Sequence, residues 1–473
     1  MQNGNINDQQ AVIMYIDMNS FFASCEQQEN KELRGRPIGV ITHPSDYACV
    51  IAPSTEAKKY GIKTGMRLPE CKALCPHMIP VVARPYIYRQ YHIDILNVLN
   101  FYCDDVKAKS IDEAVMNFTS YKLIYRDFKK LAQDIKDDLA GMCGDYVKCS
   151  IGIAPNSFLA KLATEIEAAK RDGILEITPE NLDFYLGTLK LTDLPGIARA
   201  NASRLERIGI RTPLQMRYTS EALLRKAFGG VVGSYWHRRL HFQEVDMYES
   251  GYKAMSATRM VSRDQRQDRQ AMESLLISLC TRLEQRMVKQ KVFCRAINFY
   301  IGYKDLPGWE TSIKFNQPLQ DAVEMRQYIE QQMKAFEQSR GYNLLNNRVD
   351  RLGVVISAFI KSKYVTYGLF DNKMKHDTAR IIMYNIKDKY GRDIVRKASE
   401  TVRAYEMRDA IGFGSVKDFS LQVTEEGEHT SEINQYLLQD DRPQKVPKHI
   451  LELRERKARA LAVLEQNTTN HNI

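Results

Sequence analysis

Asp17 stands at the end of an apolar run formed by Val12, Ile13, Tyr15 and Ile16, and Asp112 and Glu113 stand side by side in the stretch KAKSIDEAVMNF, Lys107–Phe118. A strand buried on both faces reads as continuous apolar sequence, and functional groups collect where it emerges. Neighbours in a regular strand point to opposite faces, so Asp112 and Glu113 share a site only if they lie at a turn between two strands. Carboxylates held together repel unless a proton or a cation compensates. Gathered in one place, Asp17, Asp112 and Glu113 offer oxygen donors alone. Such a set suits Mg2+, and no histidine or cysteine joins it to favour zinc. Two ions bridged by carboxylates are an arrangement used for in-line displacement at phosphorus, one activating a hydroxyl and the other holding a triphosphate. A simple strand-end aspartate and a solvated acidic turn are the structural readings of the same residues.

The elements that must position these groups follow from apolar period and breakers. Strands are expected at Val12–Ile16, Ile38–Ile41, Cys49–Ile51, Val106–Lys109, Ala114–Phe118 and Val147–Ile153. Helices are expected at Phe21–Gln28, Thr55–Tyr60, Tyr88–Phe101, Tyr125–Cys143 and Ser157–Ala169, with Gly61 closing the second. This alternation describes an α/β or α+β domain. Residues 174–245 read as short helices only, 246–252 as a polar linker. From 253 to about 363 strands return around two long helices, near Arg269–Lys289 and Leu319–Ser339. No internal repeat is evident.

At 473 residues the chain is long enough for several domains, and 44% apolar content supplies a core. The net charge is +10, and residues 253–363 carry 19 lysines and arginines against 11 acids, a surplus of eight. Charge concentrated in one domain-sized piece favours a nucleic-acid contact surface over scattered surface charge. No run of about 18 apolar residues reads as a membrane span. The N-terminus MQNGNINDQQ lacks a signal-peptide core, and nine scattered cysteines read as cytosolic thiols. Cys71, Cys75 and His77 lack a fourth ligand at a familiar metal spacing, so buried thiols are expected. The polar end, QNTTNHNI, is expected to be disordered.

The spans YIDMNSFFASCE, STEAKKYGIKTGM and SIDEA resemble, in order and separation, the Y-family or translesion DNA polymerases. The triplet DMN is nearer the bacterial polymerase V catalytic-subunit branch, within a group that includes polymerase IV. The resemblance covers residues 11 to about 415. It implies a multidomain α+β right-hand fold: palm 11–36 and 77–173, small fingers 37–76, helical thumb 174–245, linker 246–252, β-rich little finger 253–365 and a C-terminal extension 366–473.

The resemblance also implies roles. Asp17, Asp112 and Glu113, with the main-chain carbonyl of Met18, would hold two Mg2+ ions. Phe22 would lie under the incoming sugar, where a rigid ring collides with a 2′-hydroxyl, with Phe21 its neighbour. Both rings can equally be core of the helix that follows Ser20. Thr55 and Lys58 stand where the family places a tyrosine and an arginine on the triphosphate. Of Lys161 and Lys170, nine positions apart and on roughly opposite helix faces, Lys170 is the expected phosphate ligand because KRDG resembles the family's helix ending.

LTDLPGIARANASRLERIGI, Leu191–Ile210, resembles a helix–hairpin–helix in which Gly196 lets backbone amides meet a DNA phosphate; Ala198 replaces a second glycine, and Arg199 and Arg204 would add contacts. Leu369 and Phe370, in YGLFDN, fit the end of a sliding-clamp motif, or are core. AIGFGSVKDF, from Ala410, resembles a tail found in some bacterial members. The function implied is template-directed DNA synthesis across damage in the bacterial cytoplasm, with primer-template DNA, deoxynucleotides, a clamp and accessory mutagenesis subunits as partners. A family member without catalysis would be a DNA-binding scaffold. A nucleotide cyclase with a similar palm would leave the helical hairpin and the basic domain unexplained.

Overall fold

The computed structural model describes residues 11–46, 48–122, 124–168, 173–246, 253–368, 372–390, 394–395 and 397. Lys170, Leu369 and Phe370, most of the expected linker and the tail beyond 397 lie outside the described residues. The chain divides into two compact units, which part between residues 249 and 250.

The first unit is built on a five-stranded sheet. Its strands are β1 (Ile13–Met18), β5 (Val106–Ala108), β6 (Glu113–Asn117), β7 (Cys149–Ala154) and β8 (Ile174–Glu176), in the order β5-β6-β1-β7-β8. β1 is central, antiparallel to both β6 and β7. That position explains its unbroken apolar run: Ile13, Met14, Tyr15 and Ile16 are all buried. A smaller sheet, β3-β2-β4, joins β2 (Ile38–Ile41), β3 (Val50–Pro53) and β4 (Ile79–Val82). β4 escapes a reading by period because it is four residues long and contains Pro80; it runs parallel to β2, where proline is tolerated at a sheet edge.

Helices α1 (Phe21–Glu29), α2 (Thr55–Lys59), α3 (Leu68–Leu74), α4 (Pro85–Tyr102), α5 (Phe128–Cys143) and α6 (Ser157–Ala168) accompany these strands. α4 starts three residues before the expected Tyr88 because Pro85 occupies its first turn, where no N–H is needed. α5 starts three residues after the expected Tyr125, at the point where the Asp127 side chain accepts the Lys129 and Lys130 amides. Gly61, at φ 83°, follows α2 as the expected left-handed terminator. Short helices α7 (Leu182–Thr188), α8 (Arg199–Glu206), α9 (Pro213–Arg217), α10 (Glu221–Phe228) and α11 (Val231–Leu240) complete this unit.

α6 lies against β7 and β1. Its Phe158, Leu159, Leu162 and Ala163 share a core with Ile13 and Tyr15 of β1 and with Trp236 of α11. Alternate β1 residues point to the same face, so Asp17 emerges on the α6 side. The helix approaches so closely that a Cβ on Gly152 of β7 would sit 1.9 Å from the Ala160 carbonyl oxygen. Gly152→Ala therefore destabilises the unit by about 1–3 kcal/mol. Urea denaturation checks this, since a neutral substitution would require α6 to stand further from the sheet.

In the second unit, strands β9 (Ala254–Met260), β10 (Val292–Tyr303), β11 (Trp309–Leu319) and β12 (Val349–Ser357) form an antiparallel sheet in the order β11-β10-β12-β9, and β13 (Ile360–Lys361) pairs with β10. Helices α12 (Arg269–Lys289) and α13 (Ala322–Arg340) share its apolar core, to which Met255, Ile297, Phe299, Leu352 and Val354 contribute. α12 has the limits expected from its apolar period, while α13 begins later because Asp321 caps it through the Val323 and Glu324 amides. The alternate strand residues make a second, polar face: Thr258 bonds Tyr300, and Asn298 bonds Ser312. A last helix, α14, spans Lys373–Tyr390. No helix among the described residues is long and apolar enough to cross a membrane. All nine cysteines are free thiols, and Cys71 and Cys75 are buried as expected.

Candidate active site

The β1–β6 ladder pairs Asp17 directly with Glu113. Cross-strand partners project to the same face, so residues 96 positions apart in sequence become neighbours. Asp112 is the last residue of the bend between β5 and β6, outside the regular strand. The bend is tied at both ends: the Lys109 amide donates to the Glu113 carbonyl at 2.8 Å, and the Met18 amide to the Asp112 carbonyl at 2.9 Å. The adjacent pair is thereby released from strand alternation, as the sequence requires if both are to serve one site. The Ser110 hydroxyl bonds Asp112 Oδ1, and the Tyr15 hydroxyl donates to Glu113 Oε2 at 2.8 Å.

A cation already sits among these acids. Lys161 of α6 bonds Asp17 Oδ2, approaches Glu113 Oε1 to 2.8 Å, and reaches Glu165 Oε1 one helical turn on at 3.1 Å. Its side chain is 15% exposed. Burial opposes the ammonium charge, but Asp17, Glu113 and Glu165 outweigh it and hold the pKa well above that of a free lysine. Burial pushes the Asp17 carboxyl up to about 6, with Lys161 pulling the other way and Glu113 and Asp112 adding to the rise. Asp112 is raised by burial and by Glu113, while the Ser110 bond and Lys161 lower it. The three carboxylates thus feel one another and one shared cation.

Among the described residues, no three acidic, histidine or cysteine groups are gathered closely enough to grip a metal as they stand. The donor chemistry nevertheless fits a hard cation. The set is all oxygen, and the Lys161 ammonium marks where positive charge is favoured between Asp17 and Glu113.

The remaining residues singled out in sequence fall as follows. Phe21 is 2% exposed and Phe22 8%, so both rings are buried on α1, with centroids 5.8 Å apart. Thr55 opens α2, capped by the Ser54 hydroxyl on the Ala57 amide at 3.2 Å. Lys58, on the same helix, is held below its ordinary pKa by desolvation, which the fields of Asp17 and Glu165 partly offset. This lysine therefore shares the electrostatic environment of the carboxylates. Gly196 adopts φ 91°, where a side chain would be strained, and Ala198 is the residue before the first turn of α8. Arg199 and Arg204 are exposed on that helix. The first-turn amides of a helix have no partner within it, which is the geometry that receives a phosphate.

The sequence favours Lys170, which lies outside the described residues, whereas the lysine that the structure places among the acids is Lys161. The signal was the i, i+4 pair Lys161–Glu165, which places an acid beside that lysine on α6. His92 left no such signal. It is 5% exposed on α4, with Nδ1 2.8 Å from the carbonyl oxygen of Ile111, the residue before Asp112. A carbonyl only accepts, so Nδ1 carries the proton and the ring braces the acidic bend. Burial pushes its pKa down to about 4, against an ordinary 6.5. Between those values the unfolded chain binds the proton and the folded chain does not. Stability contributed by neutral His92 is complete above about 6.5 and falls as pH drops through the window, by at most about 1.4 kcal/mol per pH unit. Urea titrations at pH 7 and pH 5 should show a larger acid loss for the native chain than for His92→Leu; equal losses would remove His92 from this account.

Comparison with known proteins bears on the same elements. Residues 16–165 match the sequence model of the impB/mucB/samB family, and residues 252–369 match the model of that family's C-terminal domain. The chain is similar to DNA polymerase IV of Pseudomonas aeruginosa strain UCBPP-PA14, 32% identical over 224 residues, covering 47% of this chain and 63% of that relative. It is also similar to DNA polymerase IV of Bacillus anthracis, 27% identical over 409 residues, covering 84% of this chain and 95% of that one. The chain thus spans under two thirds of the Pseudomonas relative's length. A solved Y-family DNA polymerase chimera, Dbh-Dpo4(243-245)-Dbh, shares the fold at a TM-score of 0.61 and 22% identity, over 74% of this chain and 99% of that chain. The first match contains Asp17, Asp112, Glu113 and Lys161, the second the sheet and helices α12 and α13 of the basic unit, and together they take in more than half of the sequence: the chain belongs to the impB/mucB/samB family, the Y-family of its sequence motifs.

Proposed function

We propose that this chain is a template-directed DNA polymerase of the lesion-bypass type, extending a primer 3′ end with deoxynucleotides. The observation that carries the reading is the pairing of Asp17 with Glu113 across β1 and β6, with Asp112 in the bend beside them and a cation drawn between the acids. The reaction joins the primer 3′ oxygen to the α-phosphorus of the nucleotide, breaks the bond to the β-phosphate and releases pyrophosphate. Bound Mg2+ would supply the charge that acidifies the 3′-hydroxyl and neutralises the triphosphate.

Asp17, Asp112 and Glu113, with the Met18 carbonyl, would be the oxygen donors for two such ions. Tyr15 and Ser110 orient two of these carboxylates through their hydroxyls. Thr55 and Lys58 bind the triphosphate, joined by Lys170. Lys161, which bonds Asp17 and Glu113 in this structure, would offer its ammonium to phosphate oxygens once bound cations neutralise those acids. Phe22 excludes ribonucleotides by collision.

In this reading residues 11–36 and 77–173 are the palm, 37–76 the fingers, 174–245 the thumb and 253–365 the little finger. Gly196, Ala198, Arg199 and Arg204 approach one DNA phosphate backbone. The surplus of eight positive charges over 253–363 and the polar sheet face with Thr258 and Asn298 support a grip on DNA without base reading. Leu369 and Phe370 would engage a sliding clamp, and accessory subunits would join it. The bacterial relatives and the free thiols favour the cytoplasm.

Primer extension with Mg2+, four deoxynucleotides and a primed template tests the proposal. Extension supports it. No extension, with DNA binding that weakens steeply in salt, would turn the reading to a DNA-binding scaffold or to a polymerase dependent on a partner subunit. A recombinase filament and a sliding clamp, added together, separate those two.

A further inference from the structure

The Phe22 ring lies on Tyr88, with centroids 4.4 Å apart and planes 17° from parallel. Tyr88 is wholly buried in the first turn of α4. Its hydroxyl donates to Glu26 Oε1 at 2.6 Å and accepts the Arg84 backbone N–H at 3.2 Å. Glu26 is itself 1% exposed. It takes Arg84 Nε on both oxygens, at 3.2 and 3.0 Å, and Arg84 Nη2 on Oε2.

The sequence spacing makes the assembly rigid. Phe22 and Glu26 are one turn apart on α1, and Arg84 and Tyr88 are one turn apart at the start of α4, so two i, i+4 pairs mesh. A buried carboxylate persists only when its oxygens are bonded, and here the same oxygens that satisfy Glu26 fix the Tyr88 hydroxyl. An apolar pair would pack as well but would leave the ring free to slide. The hydroxyl bond gives Tyr88 one position, and its face denies Phe22 retreat on that side.

We infer that Tyr88, locked by Glu26 and Arg84, is the positioning residue that sets the Phe22 ring and thereby the strictness with which a ribose 2′-hydroxyl is refused. This rests on the proposed role of Phe22. Selection by collision depends on how far the wall yields, so softening the support relaxes the choice of sugar while deoxynucleotides, which do not press on the ring, are little affected.

The test measures single-nucleotide incorporation of dATP and ATP opposite template thymidine with the full chain, for the native protein, Phe22→Ala, Tyr88→Leu, Tyr88→Phe and the Phe22→Ala/Tyr88→Leu double variant. Tyr88→Leu should raise the ATP-to-dATP ratio of kcat/KM by about three- to tenfold, through a lower KM for ATP. Tyr88→Phe, which keeps the ring and loses the anchor, should fall between native and Tyr88→Leu. Phe22→Ala should raise the ratio further, and adding Tyr88→Leu to it should change the ratio no more. If Tyr88→Leu lowers both substrates by one factor, or adds fully to Phe22→Ala, Tyr88 is packing only and the inference fails while Phe22 keeps its role. If Phe22→Ala itself leaves the ratio unchanged, the sugar reading of Phe22 fails and takes the inference with it. Should Tyr88→Leu not fold, the near-isosteric Tyr88→Phe decides alone, and a native ratio overturns the inference.

Discussion

Replacing Asp112 and Glu113 together by alanine is expected to lower primer extension by at least about 10³-fold, because in the proposed mechanism several kcal/mol of charge stabilisation at the transferred phosphorus would depend on these donors. Asp17→Asn has an effect of the same order. Neither change touches α8 or the basic unit, so affinity for primer-template DNA stays near the native value. The pair of measurements is what matters. Lost extension with intact binding places the acids in chemistry, and lost binding would place them in the fold. Lys161 adds a second expectation for the same acids. Removing the two carboxylates strips its ammonium of Glu113, leaving Asp17 and Glu165. Losing the Lys161–Glu113 pair and losing the buried, repelled Asp112 charge act in opposite directions on stability, and denaturation run beside the kinetic assay separates their balance from the catalytic loss.

Glu284→Leu destabilises the second unit by about 3–5 kcal/mol, the cost of removing one member of a buried ionic cluster. Glu284 is fully buried on α12. It accepts the Ala322 amide at the start of α13, the Tyr384 hydroxyl of α14 and the Lys397 ammonium. Arg380 of α14, also buried, pairs with Asp377 at 2.7 Å and Asp321 at 3.0 Å, with Glu284 Oε2 3.5 Å away. Burial opposes ionisation of Asp321, yet Lys397 and Arg380 hold its pKa below the ordinary value. Leucine would leave the Arg380 and Lys397 charges short of a counter-charge and the Ala322 amide without its acceptor. Hydrogen exchange should then accelerate first across Lys373–Tyr390, because α14 is held through this cluster. Replacing Glu284 and Arg380 together by methionine should recover part of the loss, since an apolar pair of similar volume avoids the desolvation of two charges. A loss below about 1 kcal/mol for Glu284→Leu would mean that water reaches the cluster.

Much of this molecule is written in local pattern. The unbroken apolar run before Asp17 marked a central strand, and β1 is flanked on both sides. The 3.6-residue period placed α12 at Arg269–Lys289, and the short helical patterns of 174–245 correspond to the run from α7 to α11, except that Ile174–Glu176, expected within that helical stretch, is instead strand β8, too short for a period and fixed by its pairing with β7. Period 2, period 3.6 and the breakers between them are properties of neighbouring residues, so they survive without knowledge of the fold. The charge surplus of the basic unit and the paired acids of SIDEA are likewise legible, because they require only composition and adjacency.

Partnership across the chain is a different matter. That Asp17 meets Glu113 depends on which strand pairs with β1 and in what register. That Lys161 enters the acids depends on α6 lying within touching distance of Gly152. Tyr88 looked like one aromatic of a helix; only the approach of α1 to α4 put it under Phe22 and brought Glu26 to its hydroxyl. Short β4 pairs with β2 despite its proline, for the same reason. By itself the sequence determined the elements, the carboxylates and the basic domain, since those follow from covalent neighbours and side-chain type. Only the tertiary structure decided which lysine neutralises the acids and which ring Phe22 stacks on, since both are contacts between segments far apart in sequence whose meeting is chosen by the packing of the whole core.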